Sequence, residues 1–238
     1  MPTGRVMKHR WRVAVVAVSL IGTAAVACAT TIRPPRPMVP RLSQDEPQWP
    51  RPHVLQAATR AFDCAREAGY FDDPTITIVD YSLPSTQPRL WVIDLAEKKI
   101  LFHELVAHGR NSGEDRAIAF SDRPGSKMSS LGLYRTAETY SGKHGFSLRL
   151  DGLEPGFNDT ARDRAIVLHG ADYVGGGSIA KLGHLGRSWG CPAVRREVSR
   201  PLINRIRNGT ALFVYYPDED WLRSSPFAQC GAPKLAGR

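Results

Sequence analysis

The 238-residue chain is poor in features that mark several functional classes. It has 4 cysteines, no two of them close together, and no His-x-x-x-His pair, so the usual spacings of a zinc site are missing. No Lys/Arg-rich helix and no platform of aromatic residues interleaved with basic ones is present, so nucleic acid is not an expected partner even at a formal charge of +9. Much of that charge sits at Arg5, Lys8, Arg10 and Arg12 and then at Arg33, Arg36, Arg41 and Arg51, ahead of the prospective folded part. The rest reads as solvated surface charge, enough for weak attraction to an anionic wall or membrane surface. There is no internal repeat. The N-terminal apolar run, Val13 to Ala27, includes Ser19, Gly22 and Thr23 and is shorter than the roughly 20 residues a spanning helix needs.

That run has another reading. Basic residues precede it and Ala25-Val26-Ala27 closes it before Cys28, which is the layout of an export signal over residues 1–28. Ala25-x-Ala27 suits ordinary cleavage, whereas small residues before Cys28 suit lipid attachment. Both remain open, and with them a membrane tether through the N-terminus. The expected location is the periplasm or cell envelope. Prolines at 34, 35, 37, 40, 47, 50 and 52 then favour an extended linker over 29–52, with one catalytic domain over 53–238 beginning near His53.

Export puts the thiols in an oxidising compartment. Beyond Cys28 stand Cys64, Cys191 and Cys230, an odd number that leaves at least one unpaired within the chain. The neighbours of Cys191 mark it as the free one, and Cys64 with Cys230 is a candidate disulfide between an early helix and the C-terminal tail.

Val54, Leu55, Ala58, Ala61, Phe62, Ala65 and Ala68 recur at helical spacing, with Gly69 as a stop signal. The texture then turns to strands: Thr75–Val79, Leu90–Leu95 and Ile100–Val106, the last two a hairpin through Ala96 to Lys99. Gly132–Thr136, Phe146–Leu150, Ala165–Leu168 and Ala211–Tyr216 add further strands. Ser199 is read as the cap of a short helix through Arg207, with Pro201 in its first turn. The fold class expected is mainly β with a few peripheral helices.

The densest chemical signal is Arg187-Ser188-Trp189-Gly190-Cys191-Pro192-Ala193-Val194, where the chain turns sharply at the sulfur between glycine and proline. A cysteine nucleophile reacts as thiolate and needs a base or positive field beside it. Three His-Gly pairs are on offer, at His108, His144 and His169. His169 directly follows an apolar strand and is the chosen base. His184, in a glycine-rich loop, is the rival. His103, His108 and His144 read as core or surface residues, with His144 also able to line a cleft.

With these residues in view, the sequence resembles the catalytic domain of the L,D-transpeptidases, the YkuD-like enzymes that cross-link peptidoglycan. His169-Gly170 and Ser188-Trp189-Gly190-Cys191 carry the resemblance, together with Ser129-Ser130-Leu131-Gly132 and Ser141-Gly142-Lys143-His144-Gly145. It departs at Trp189, where many members place a second histidine, and looks like the branch with Trp-Gly-Cys-Pro. The resemblance implies a YkuD-like β-sandwich and attack by Cys191 on a stem tetrapeptide with loss of D-alanine, without cofactor or metal. It also implies that Gly170 orients His169 through its carbonyl, and that the N–H groups of Gly190 and Cys191 face the oxyanion. Ser188 and Arg187 are supporting residues, Arg187 either as a fork for a substrate carboxylate or as a loop anchor. Trp189, Tyr173 and His184 are candidate substrate contacts, peptidoglycan stem peptides are the expected partner, and a monomer is expected. A trimming hydrolase using the same thiol and a wall-binding protein without catalysis are the competing functions.

Overall fold

The computed structural model describes residues 48–230, so the expected export signal, Cys28 and most of the proline-rich linker lie outside the described residues. The first helix, α1, spans Pro52–Glu67. Proline suits its first turn because no N–H partner is needed there. Val54, Ala58, Ala61, Phe62 and Ala65 form its buried face, and Gly69 follows its end at φ +82°. The folded part starts before the expected boundary at His53. Pro50 is buried, Arg51 pairs with Asp80 at 2.7 Å, and the Trp91 indole donates to the Gln48 carbonyl at 2.6 Å. Proline-rich composition marks extended chain, and extended chain laid on a domain has the same composition as a free tether.

Next come β1 (Thr75–Asp80), β2 (Leu90–Asp94), β3 (Lys99–Glu104), β4 (Gly132–Gly142), β5 (Gly145–Gly152) and β6 (Val167–Gly170). The chain finishes with α2 (Gly176–Leu182), β7 (Ala193–Val194), α3 (Arg196–Ile206), β8 (Ala211–Tyr215) and α4 (Glu219–Ser224). The strands make one sheet in the order β3-β2-β1-β8-β4-β5-β6-β7, nearly closed into a barrel. The gap is spanned by Ala107, just past one edge strand, which exchanges backbone hydrogen bonds of 2.8 and 3.3 Å with Ala193 on the other edge. The mainly β class with peripheral helices is therefore the class the chain adopts. Only β1·β8 and β6·β7 are parallel among the strand pairings.

Two sequence expectations need correction. α3 starts at Arg196, so Ser199 lies inside it, and its hydroxyl donates to the Arg196 carbonyl at 2.8 Å instead of capping the helix. Pro201 sits in the helix interior on an exposed face, where its missing N–H deprives only one carbonyl of a partner. The strand read as Ala165–Leu168 runs instead from Val167 to Gly170, because Ala165 takes a left-handed φ of +53° and leaves the sheet. The glycine-rich stretch after it, read as loop, contains the short α2.

Cys64 and Cys230 are disulfide-bonded, with Cα atoms 6.3 Å apart, so α1 and the tail are joined as the cysteine count suggested. Cys191 is the free cysteine among the described residues. No helix among them is long and apolar enough to cross a membrane.

Candidate active site

The parallel pair β6·β7 builds the site. It sets His169 opposite Ala193 and Gly170 opposite Val194, and the His169 N–H reaches the Pro192 carbonyl at 3.3 Å. Cys191 immediately precedes Pro192, so this register brings the thiol loop back to the strand that carries the histidine.

His169 is 2% exposed, and its Nδ1 lies 3.0 Å from the Gly170 carbonyl. A carbonyl only accepts, so Nδ1 carries the hydrogen and Nε2 keeps its lone pair. Burial holds the pKa of His169 below the ordinary histidine value. The Gly170 carbonyl opposes that shift, while His144 and Arg196 add to it.

Cys191 is half-buried. Its sulfur lies 3.5 Å from the Val167 nitrogen and 3.7 Å from the Ala165 carbonyl, which accepts from the thiol. Burial pushes the thiol pKa up, and the Val167 N–H, Arg164 and Lys143 pull against it without reversing it. The resting sulfur is therefore a thiol, and making a thiolate needs a base.

Side chains clasp the loop into Cys191. The Ser188 hydroxyl donates to the Cys191 carbonyl at 2.6 Å and accepts from the Gly190 N–H at 3.1 Å. This corrects the expectation that the Gly190 N–H faces an oxyanion, because that hydrogen already has a buried partner. Of the two N–H groups, that leaves the Cys191 N–H. Gly190 adopts φ +124°, and a Cβ there would lie 2.7 Å from the Met128 carbonyl, so only glycine fits. Ser129, from the motif shared with the family, accepts from the Gly109 N–H at 3.0 Å and donates to the Gly190 carbonyl at 3.1 Å. Beneath it, buried Arg164 pairs with Asp122 at 3.1 Å and donates to the Met128 carbonyl at 2.7 Å. No motif announced Arg164, since its partners are 36 and 42 residues away in sequence.

The remaining candidates are placed as follows. Trp189 is 64% exposed beside the loop, with the Lys127 and Lys143 ammonium groups 5.0 and 5.6 Å from its ring centroid. Arg187 donates to the Gly113 carbonyl at 3.2 Å, which is the loop-anchor role of the two considered. Tyr173 packs in a small cluster with Ala107, Leu185 and Ala193, and its ring leaves no room for a Cβ at Gly186. His184 turns its Nδ1 to the Leu185 carbonyl at 2.6 Å. His108 is buried, and its Nδ1 accepts from Arg89 at 2.8 Å. Burial and that guanidinium hold its pKa down to about 4. The sequence offers His144 at most a place lining a cleft. In the structure its ring stacks on His169, with centroids 4.4 Å apart and planes at 28°. The one signal for it was its place in the Ser141–Gly145 stretch. Among the described residues no group of three or more His, Cys, Asp or Glu is arranged to hold a metal ion.

The chain is similar to several known proteins. Solved structures similar to this chain include an L,D-transpeptidase from Mycobacterium smegmatis, at 10% identity and TM-score 0.39, covering 60% of this chain and 59% of that one. The L,D-transpeptidase LdtMt1 in complex with imipenem has 12% identity and TM-score 0.38, again with 60% and 59% coverage. An L,D-transpeptidase fragment from Xylanimonas cellulosilytica has 15% identity and TM-score 0.35, covering 71% of this chain and 98% of that one. The chain thus spans 59% of the length of the first two. No curated protein matches it. The sequence profile of the L,D-transpeptidase catalytic domain matches residues 47–215, most of the chain, and the chain belongs to that family.

Proposed function

We propose that the chain is a peptidoglycan L,D-transpeptidase with Cys191 as nucleophile and His169 as base. One observation carries the reading: half-buried Cys191 stands two residues before β7, the strand paired with the one that carries a buried imidazole, whose Nδ1–H is held by Gly170, leaving Nε2 to take a proton. No carboxylate is needed as third member, because the Gly170 carbonyl orients the ring.

The thiol proton passes to His169 Nε2, and the sulfur attacks the carbonyl carbon of the diaminopimelate residue that precedes D-alanine in a tetrapeptide stem. The C–N bond breaks, D-alanine leaves with the proton from His169, and a thioester remains on Cys191. A side-chain amine of a second stem then attacks the thioester and gives its proton to His169. The C–S bond breaks, a new amide forms, and the sulfur recovers its hydrogen. The Cys191 N–H is the local oxyanion donor, and one such donor contributes about 3 kcal/mol. By the same chemistry the thiolate opens the strained ring of a carbapenem. We place the enzyme in the cell envelope on the strength of the N-terminal export pattern.

The test is incubation of the purified chain with a disaccharide tetrapeptide ending in D-alanine, beside Cys191→Ala and His169→Ala, with products read by mass spectrometry. The expected result is cross-linked dimer from the wild type, none from Cys191→Ala, and a loss of about 10²- to 10⁴-fold in His169→Ala. Tripeptide alone would move the reading to a carboxypeptidase. Turnover surviving Cys191→Ala would end it, and no turnover by the intact chain would favour a wall-binding role.

A further inference from the structure

β4 and β5 are joined by a two-residue turn, Lys143-His144, between the facing Gly142 and Gly145. Glycine at φ +77° after the turn lets the chain re-enter the sheet without strain. The two tip side chains part. The Lys143 ammonium reaches the Trp189 ring at 5.6 Å, and the His144 ring covers the His169 ring at 4.4 Å. Adjacent residues of one turn thus touch both halves of the site: the loop two residues before the thiol, and the base.

Sheet register sets this reach. Buried Ser147 on β5 stands opposite His169 on β6, and His144 lies three residues earlier, at the tip of the same hairpin. The tip therefore overhangs the end of β6. Two imidazoles with planes at 28° and centroids 4.4 Å apart are in van der Waals contact, so the upper ring limits rotation of the lower one. The charged groups that bear on His169 are His144 from the hairpin and Arg196 from α3 with its ion-pair partner Asp172, while Lys143 bears on His144 and on Cys191. In that mostly cationic surround a second proton on the stack is disfavoured, and a neutral imidazole is the form a base requires.

We propose that His144 is a positioning residue for the base. Its ring holds the His169 imidazole in the plane set by the Gly170 carbonyl, while Lys143 on Trp189 ties that hold to the loop bearing Cys191. The inference rests on the reading of Cys191 and His169 as nucleophile and base.

The experiment measures the rate at which iodoacetamide alkylates Cys191 in the full chain as a function of pH, with the label located by peptide mass spectrometry. Wild type is compared with His144→Ala, His144→Phe and His169→Ala, and tetrapeptide turnover is followed in parallel. His144→Ala is expected to slow alkylation at its plateau by about tenfold, through lost orientation, and to move the His169 inflection to higher pH. His144→Phe restores the stacked ring without a charge, so the plateau returns to within about threefold while the inflection stays high. A tip with only a structural role would change the melting temperature and leave the inflection where it is. The proposal is overturned if His144→Ala superposes on wild type in plateau and inflection, or if His144→Phe falls as far as His144→Ala. Alkylation needs no peptide. A chain that behaves as described but forms no product keeps the brace and loses the transpeptidase reading, whereas a profile unchanged by His169→Ala removes the base and the brace together.

Discussion

The sheet has two parallel pairings, and they are built differently. β1·β8 runs through five register pairs, and every residue of both strands is buried. β6·β7 has two pairs, and the segments leading into it are held by side chains: Ser188 on the Cys191 carbonyl, Ser129 on Gly190, and Arg164 on Met128. The first pairing is held by apolar burial and a continuous backbone ladder, which tolerate small shifts in any one contact. The second depends on a few polar contacts in a poorly solvated setting, where each fixes a direction and loss of one leaves a buried group unpaired. A scaffold needs the first kind of construction, and a site that must aim a sulfur and a ring needs the second.

The largest expected effect breaks the scaffold side of this comparison. Phe213, in the middle of β8, is fully buried, and Phe213→Ala should destabilise the fold by about 3–5 kcal/mol in urea titration. Alkylation of Cys191 per folded molecule should stay as in wild type. A loss of reactivity matching the loss of stability would show that the two pairings are not separable.

A somewhat smaller effect comes from acid. His108 lies on the segment that closes the barrel, facing Arg89, Asp115 and Arg187, and it stays neutral in the folded state down to about pH 4. The unfolded chain takes up that proton near the ordinary value of 6.5. Below that pH the unfolded state binds more protons, so stability is full above about 6.5, falls as pH drops to about 4, and then levels off from this group. The loss is roughly 3 kcal/mol. Unfolding free energies at several pH values in this window, with His108→Gln flattening part of the slope, check it. The depressed His169, His103 and His144 act in the same direction.

The smallest effect sharpens the site side. Ser188→Ala leaves the buried Gly190 N–H without its partner and should lower stability by about 1–2 kcal/mol while slowing Cys191 alkylation several-fold. Equal alkylation rates in Ser188→Ala and wild type would mean that the hydroxyl does not aim the loop.

Much of the scaffold was legible in the sequence because its cause is local. The apolar spacing of α1, the alternation and runs of β1 to β3 and β8, and the Gly69 stop all act within a few residues of themselves. The Cys64–Cys230 bond could be framed as a candidate by counting thiols, yet it needed two Cα atoms brought to 6.3 Å across 166 residues. The failures have the same origin. Ala165 leaves the sheet through a left-handed φ that nothing in its neighbourhood demands, and Ser199 bonds backward within a helix that starts three residues earlier. Arg164 is indistinguishable in sequence from the exposed arginines near it.

The chain itself carries its mainly β class, its free cysteine between glycine and proline, and the histidine at a strand end. Each of these is a property of side-chain type and short spacing, which act whatever the rest of the chain does. Four further features arose only on folding: the partner of the Gly190 N–H, the anchoring role of Arg187, the buried Arg164 under the loop, and the stack of His144 on His169. The last three are contacts between segments far apart in sequence, whose geometry depends on strand register and side-chain reach, quantities that exist only once the sheet has closed; the first spans two residues, in a loop whose course the packed segments around it set.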